Sequence, residues 1–257
     1  MKKITKYIPT IILTLLCSCS DYLDIVPDNV TTLDIVFNNR NTAERYLANC
    51  YHFVPDHGSV KRIPGMGAGH ECWFYTTNDS HFDNEVSFYI ARGLQNIDAP
   101  YANYWDGEGG SNLPMFRAIR ECNIFLDYVR DQHKVNDLTD SERKRWIAEV
   151  NVLKAYYHFF LFEHYGPIPI VDKALPVSTD PEGVKVTRMP VDQIVDYMVK
   201  LIDDSYKDLP PVITMEATEM GRLTQPAALA LKAKILLWAA SPLFNGNKDY
   251  ALSLIHI

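Results

Sequence analysis

The sequence is short of the features that signal most chemistries. The N-terminal apolar run, Ile8–Leu16, is far shorter than the ~20 residues a helix needs to span a bilayer. Cationic charge is scarce: 25 Lys and Arg face 32 Asp and Glu, a formal net charge of −7. That balance argues against nucleic acid or anionic headgroups as the main partner. Five cysteines are present. Beyond the two near the N-terminus, Cys50, Cys72 and Cys122 are odd in number and scattered, which is no disulfide framework. Cys50 and Cys122 fall in helical patterns and read as small buried hydrophobes, although a bridge between them is available in an oxidising compartment. Zinc spacing is missing too: His70, Glu71 and His81 fit no standard motif and read as surface loop residues. The alternating glycines of "GMGAG", residues 65–69, lack a preceding strand and a following lysine, so they read as a turn rather than a nucleotide loop. No metal or cofactor is expected.

What is present begins with an export signal. Lys2, Lys3 and Lys6 precede the apolar run, and small residues follow it, the layout of a secretory signal peptide over residues 1–18. Lipoprotein signal peptidase cuts before a cysteine with a small residue at −1 and usually Leu at −3. Cys19 has Ser18 and Leu16 at those places, whereas Cys17 has Leu16 and Thr14. Cys19 is therefore the expected lipid anchor, and acyl chains worth ~0.8 kcal/mol per buried CH₂ would hold the chain to a membrane. Residues 19–40 read as an extended tether. At the other end, "LSLIHI", Leu252–Ile257, matches one frame of a common sequencing adapter. The expectation is that these six residues are an artefact and that the natural frame runs on past Ala251.

The body of the chain, 47% hydrophobic and 12% aromatic, has ample material for a core. Apolar residues at helical spacing predict a helix over 41–54, with Ala43, Leu47, Cys50, Tyr51 and Val54 on one face. Residues 55–112 are rich in glycine and aromatics without helical period, an irregular insertion of the kind that carries function. Pro114 to Gln132 returns to helical spacing. Thr139 and Glu142 form a capping box for the next helix, which ends at Gly166-Pro167. Further helices are expected from Pro190 to Asp208 and from Thr224 onward, the last rich in alanine. Small residues there allow close helix approach. The fold class is all-α, with irregular tetratricopeptide-like helical hairpins and an aromatic-rich loop insertion.

Four segments, in order, carry a resemblance. "CSDYLDIVPD", "FRAIRECNIFLDYV", "AEVNVLKAYYHFFLFEHYGPIPIV" and "GRLTQPAALALKAKILLWAASP" resemble the motifs of the SusD/RagB family of nutrient-uptake lipoproteins, over most of residues 19–251. Two positions depart from that pattern: Ile147 and Lys154 stand where the family motif has arginine. Lys keeps the charge but not the planar fork. Asp21 and Asp24, close after the cysteine, also resemble the surface-export signal of Bacteroidetes lipoproteins. The resemblance implies an N-terminal helical domain over 41–251, incomplete at its C-terminal side. It also implies a surface-exposed, lipid-anchored outer-membrane protein, not an enzyme, acting as a hinged lid on a SusC/RagA-type TonB-dependent transporter. The lid would capture an oligosaccharide, or in some members a peptide.

Sugars stack their CH faces on flat rings flanked by polar side chains. In the insertion, Trp73 and Tyr75, with Asn78 and Asp79, are the best ligand candidates, joined by Tyr101. Phe74, Tyr104 and Trp105 are further rings, Trp105 resembling a core position. Any of these rings has the alternative of packing the loop onto the helices. Two other function classes remain. An exported helical glycoside hydrolase would need two placed carboxylates, for which Asp79, Asp83, Glu85, Asp106 and Glu108 are available. A helical-repeat scaffold binding only protein would not need the aromatic loop.

Overall fold

The computed structural model describes residues 32–57, 65–69, 86–98, 100–107, 113–176 and 182–245. The signal segment, Cys19, Cys72 and Leu252–Ile257 lie outside the described residues. The chain divides into two units, Met1–Val36 and Phe37–Ile257. In the first, the described residues form one helical turn, α1 (Leu33–Val36). The Ile35 and Val36 amides both donate to the Thr32 carbonyl at 3.1 Å, so this part of the expected extended tether is helical.

The second unit is all-α, with no strand among the described residues. Asn39 caps α2 (Arg40–His52), its side chain accepting the Thr42 amide. Two short helices follow in the region expected to be irregular, α3 (Gly65–Ala68) and α4 (Val86–Ala91). The "GMGAG" stretch is thus a helical turn, not a bare loop. The long helices α5 (Met115–Arg130) and α6 (Asp140–Tyr165) come next. Then come α7 (Val191–Asp203), the single turn α8 (Glu216–Glu219), α9 (Gln225–Ala239) and a final turn α10 (Pro242–Asn245). The helix expected to reach Asp208 stops at Asp203 and re-forms as a 3-10 turn over Tyr206–Asp208.

The capping box forms: the Thr139 side chain accepts the Glu142 amide while Glu142 reaches back to the Thr139 amide. From there α6 runs for 26 residues, about 39 Å at 1.5 Å per residue. It packs against α2, α5, α7 and α9, so nearly all its residues from Trp146 to Phe162 are buried. A helix covered on all sides needs no polar face, and the polar residues it does bury, such as Glu149, Asn151, Lys154 and His158, are hydrogen-bonded. It ends at Gly166, whose φ of +67° is one that glycine adopts without steric cost. By contrast α7 is half-wet: Ile194, Met198 and Ile202 are buried while its other side faces solvent.

Two polar devices lock these helices. The Glu149 carboxylate is fully buried, yet every lone pair has a donor. Arg222 reaches it in a fork, Nη2 at 2.8 Å and Nε at 3.1 Å. Arg145 Nε donates at 2.9 Å and the Tyr51 hydroxyl at 2.8 Å. Glu219 balances the second arginine, accepting Arg145 Nη1 at 2.9 Å. This cluster ties α6 to α2 and to the segment before α9. The buried Arg143 serves a different end, donating to the carbonyls of Val129, Asp131, Lys134 and Val135 at 2.6–3.2 Å. Its charge sits at the negative C-terminus of α5 and braces the turn at Val135, whose φ is +51°.

Cys50 and Cys122 are both buried and both free. The Cys50 thiol is pushed up from its ordinary value, first by its contact with the Cys122 thiol and then by burial. Neither is a nucleophile, and the small-hydrophobe reading fits both.

Candidate functional site

The aromatic loop enters the second unit between α4 and α5. Tyr101 lies flat on Tyr89, ring centroids 4.3 Å apart and planes 8° from parallel. Its amide donates to Gln95 Oε1 at 2.8 Å. Tyr101, half-buried, is thus held as a stacked pair. Trp73, Tyr75, Asn78 and Asp79, the other four expected ligand residues, lie outside the described residues, as do His70, Glu71 and His81.

Tyr104 takes the packing alternative, while Trp105, expected to resemble a core position, is only half-buried. Tyr104 is the core residue: fully buried, edge-on to Phe160 and His164 at 4.9 and 4.7 Å. Its amide donates to the Tyr165 hydroxyl at 2.8 Å, so the last residue of α6 fixes the loop. Burial pushes the Tyr104 and Tyr165 hydroxyls above the ordinary tyrosine value, and both stay protonated. Trp105 is half-buried instead and faces a groove, packing edge-on against Phe116 at 4.6 Å and Tyr165 at 5.5 Å. Adjacent loop residues point to opposite sides, so when Tyr104 turns inward Trp105 turns out.

Gly107 closes this loop onto α5. Its φ is +85°, and a Cβ there would stand 2.9 Å from Pro114 Cδ and 3.0 Å from the Pro114 nitrogen. A larger residue would push the Trp105 segment away from the start of α5.

The groove holds about 290 Å³. Trp105 and Phe116, in contact with each other, line it together with Val184, Val186, Arg120 and Lys173. Arg188 lies over the Trp105 ring, 5.2 Å from its centroid. The floor follows "PIPIV", where Val171 and Pro169 line the groove.

Beneath it, Lys154 is buried and donates to the Asp172 carbonyl at 2.9 Å and carboxylate at 2.7 Å. Burial lowers the Lys154 pKa against the pull of Asp172. Asp172 also accepts the Tyr197 hydroxyl at 2.8 Å. Burial would raise its pKa, but the bonds from Lys154 and Tyr197 hold it below the ordinary carboxylate value. Lysine at 154 therefore grips a single carboxylate and its own main chain, which a point charge can do without a planar fork. This triad sets the path of the groove floor and is spent on structure.

In chemical terms the groove offers two aromatic rings, aliphatic surface and cationic donors. That set suits a molecule with apolar faces and exposed oxygens. Trp105 as a wall, and Arg120, Lys173 and Arg188 around it, were not among the expected ligand residues. Phe116 and Arg120 stand four apart on one helix and so share a face, a signal available in the sequence. Lys173 and Arg188 come from other segments, and no local pattern joins them. Among the described residues no group of three or more His, Cys, Asp or Glu could hold a metal ion. No helix among them is long and apolar enough to cross a membrane.

Comparison with known proteins places the fold. The model of the SusD-like family, described as starch-binding and associating with the outer membrane, matches residues 21–237. No curated protein matches the chain significantly. Among solved structures, BT4246 is 27% identical with a TM-score of 0.60, covering 80% of this chain and 32% of that one. A SusD-like protein from Bacteroides fragilis is 18% identical with a TM-score of 0.61, covering 80% and 36%. Surface glycan-binding protein A from Bacteroides thetaiotaomicron, solved with laminarihexaose, is 18% identical with a TM-score of 0.57, covering 85% and 42%. The chain thus spans less than half the length of each of these structures. The family match over most of the chain and the shared helical fold lead to one statement: the chain belongs to the SusD-like family.

Proposed function

We propose that the chain is part of a surface lipoprotein that captures a glycan and delivers it to a SusC/RagA-type TonB-dependent outer-membrane transporter as a hinged lid. Anchoring is through Cys19, with the following residues as tether. The observation that carries the capture step is the half-buried Trp105, which lines a groove of about 290 Å³ with aliphatic residues and Arg120 and lies under Arg188. The family description and a relative of this fold solved with laminarihexaose support it. The groove's charged groups are Arg120 and Lys173, whereas glycoside hydrolysis needs two carboxylates across one sugar. The proposed role is capture without turnover, and analysis of the products decides between that and hydrolysis. Trp73, Tyr75, Asn78, Asp79 and Tyr101 are proposed as further ligand contacts from the aromatic insertion.

The test is titration of the purified chain and its Trp105→Ala variant with oligosaccharides of several backbones. Saturable binding that weakens at least tenfold in the variant, with no shortened product on chromatography, supports capture. Shortened product would establish a hydrolase. Cys19→Ser should move the protein from the membrane to the soluble fraction, and detergent extracts of the host should yield the barrel partner with the anchored form. An unlipidated Cys19 would remove the anchor from the account.

A further inference from the structure

Among the described residues, the cations of the Trp105 groove have no carboxylate partner, although the chain as a whole carries −7. Arg120 Nη1 donates to the Leu175 carbonyl. Arg188 Nη1 donates to the carbonyls of Pro167 at 2.9 Å and Tyr165 at 3.4 Å. Main-chain carbonyls fix the direction of a guanidinium but cancel none of its charge. Lys173 is exposed on the same groove. Among the described residues, none of these three cations is in an ion pair with a carboxylate.

The acids near them in sequence are engaged elsewhere. Asp172 is held by Lys154 and Tyr197. Glu182 pairs with Lys185 at 3.4 Å. Glu121 accepts the Tyr46 hydroxyl at 2.5 Å and faces Arg117 at 3.9 Å, and Asp106, which keeps its charge, bonds the Asn103 side-chain amide at 2.5 Å. A binding groove with an indole wall, two carbonyl-oriented guanidinium groups and an exposed ammonium has a sign preference, and low-dielectric walls strengthen it. A neutral sugar would use the ring and leave the charge unanswered.

The geometry points to an anionic oligosaccharide, bearing uronate carboxylates or sulfate esters, as the ligand of this groove. This rests on the capture reading above and narrows it. The sugar's CH face lies along Trp105 and Phe116, while its acidic groups take the free guanidinium edges of Arg120 and Arg188 and the Lys173 ammonium. Planar carboxylate suits the arginine forks, and tetrahedral sulfate can bridge two cations.

Calorimetric titration of the purified chain tests it with three probes of similar length. These are trigalacturonate, a sulfated carrageenan tetrasaccharide and neutral galactotriose, each at 20 and 200 mM salt. At least one acidic probe should bind tenfold or more tighter than galactotriose, and salt should erode that preference. Whichever acidic probe binds identifies carboxylate or sulfate as the group recognised. Lys173→Met, at an exposed position, should cut acidic binding at least threefold and leave galactotriose unchanged. Arg120→Met should do the same more strongly, with its circular dichroism compared to the parent. Equal affinity for all three probes, lost in Trp105→Ala, overturns the sign preference and leaves glycan capture standing. Binding of an aspartate tripeptide but no saccharide overturns both, as does no binding of any probe.

Discussion

Replacing Glu149 by glutamine keeps the shape of the side chain and removes its charge from the buried cluster on α6. Four donors converge on that carboxylate: two from Arg222, one from Arg145 and the Tyr51 hydroxyl. In Glu149→Gln the two guanidinium groups retain Glu219 as their main counter-charge, and the new amide N–H₂ faces donors. Breaking a buried ion pair from one side costs about 3–5 kcal/mol. Arg145 and Arg222 keep 22% and 16% of their side-chain surface, so water relieves part of that and the lower end, about 3 kcal/mol, applies. For a chain of this size, that is roughly 6–12 °C in melting temperature. Urea unfolding followed by tryptophan fluorescence reads it directly. The Glu149→Gln/Arg222→Gln double variant should be less destabilised than the sum of the single ones, by about 2 kcal/mol, because the second change removes a stranded charge. A loss below 1 kcal/mol in Glu149→Gln, or strict additivity in the double variant, would refute the account of this cluster as the lock between the helices.

Three more outcomes follow from single sites. His158 is buried, donates from Nδ1 to the Lys154 carbonyl at 2.8 Å and accepts the Val171 amide at 3.4 Å. Burial pushes its pKa down to about 4, from 6.5, so its contribution is complete above pH 6.5 and is lost as pH falls toward 4. That amounts to about 3 kcal/mol; a His158→Gln variant should show a flatter stability profile over that window, and equal slopes would disprove the assignment. Gly107→Ala combines a disfavoured φ with contact on Pro114 and should cost about 1–3 kcal/mol in urea unfolding; a neutral result would mean the loop is not pinned there. Trp73→Ala should weaken oligosaccharide binding and leave the melting temperature nearly unchanged, while a large drop would place Trp73 in the core.

How much of this was legible depends on where the information sits. Caps are local, so Thr139, Glu142, Gly166 and Thr224 marked their helices correctly. The stripe Ile119, Cys122, Leu126 and Val129 is buried as its spacing predicts. Within α6, spacing loses its meaning because neighbours cover every side, and Trp146 and Arg143 both go inward. "ERKRW" looks like a solvated charge run. Arg143 is buried because four carbonyls left by α5 and its turn need a donor, a demand set by a different part of the chain. The same limit applies at the groove. Alternation along a loop cannot tell which of Tyr104 and Trp105 faces inward until the Tyr165 hydroxyl is placed. The stop of α7 at Asp203, ahead of Pro210, was missed for a related reason: Ser205 is buried and bonded to Asn151 of α6 at 3.0 Å, a tertiary contact that redirects the chain.

The Glu149 cluster also bears on the order in which the protein can be made. Its parts are spread along the chain, with 98 residues between Tyr51 and Glu149 and 73 between Glu149 and Arg222. A polypeptide appears N-terminus first, at roughly 5–20 residues per second. For several seconds after α6 has emerged, its central carboxylate has Tyr51 and Arg145 within reach but not the forked partner. The middle helix can form early, yet it cannot settle into a dry interior until the Gly221-Arg222 segment arrives. A chain made in that order would therefore leave its long central helix exposed to chaperones and proteases until the "GR" segment has been delivered.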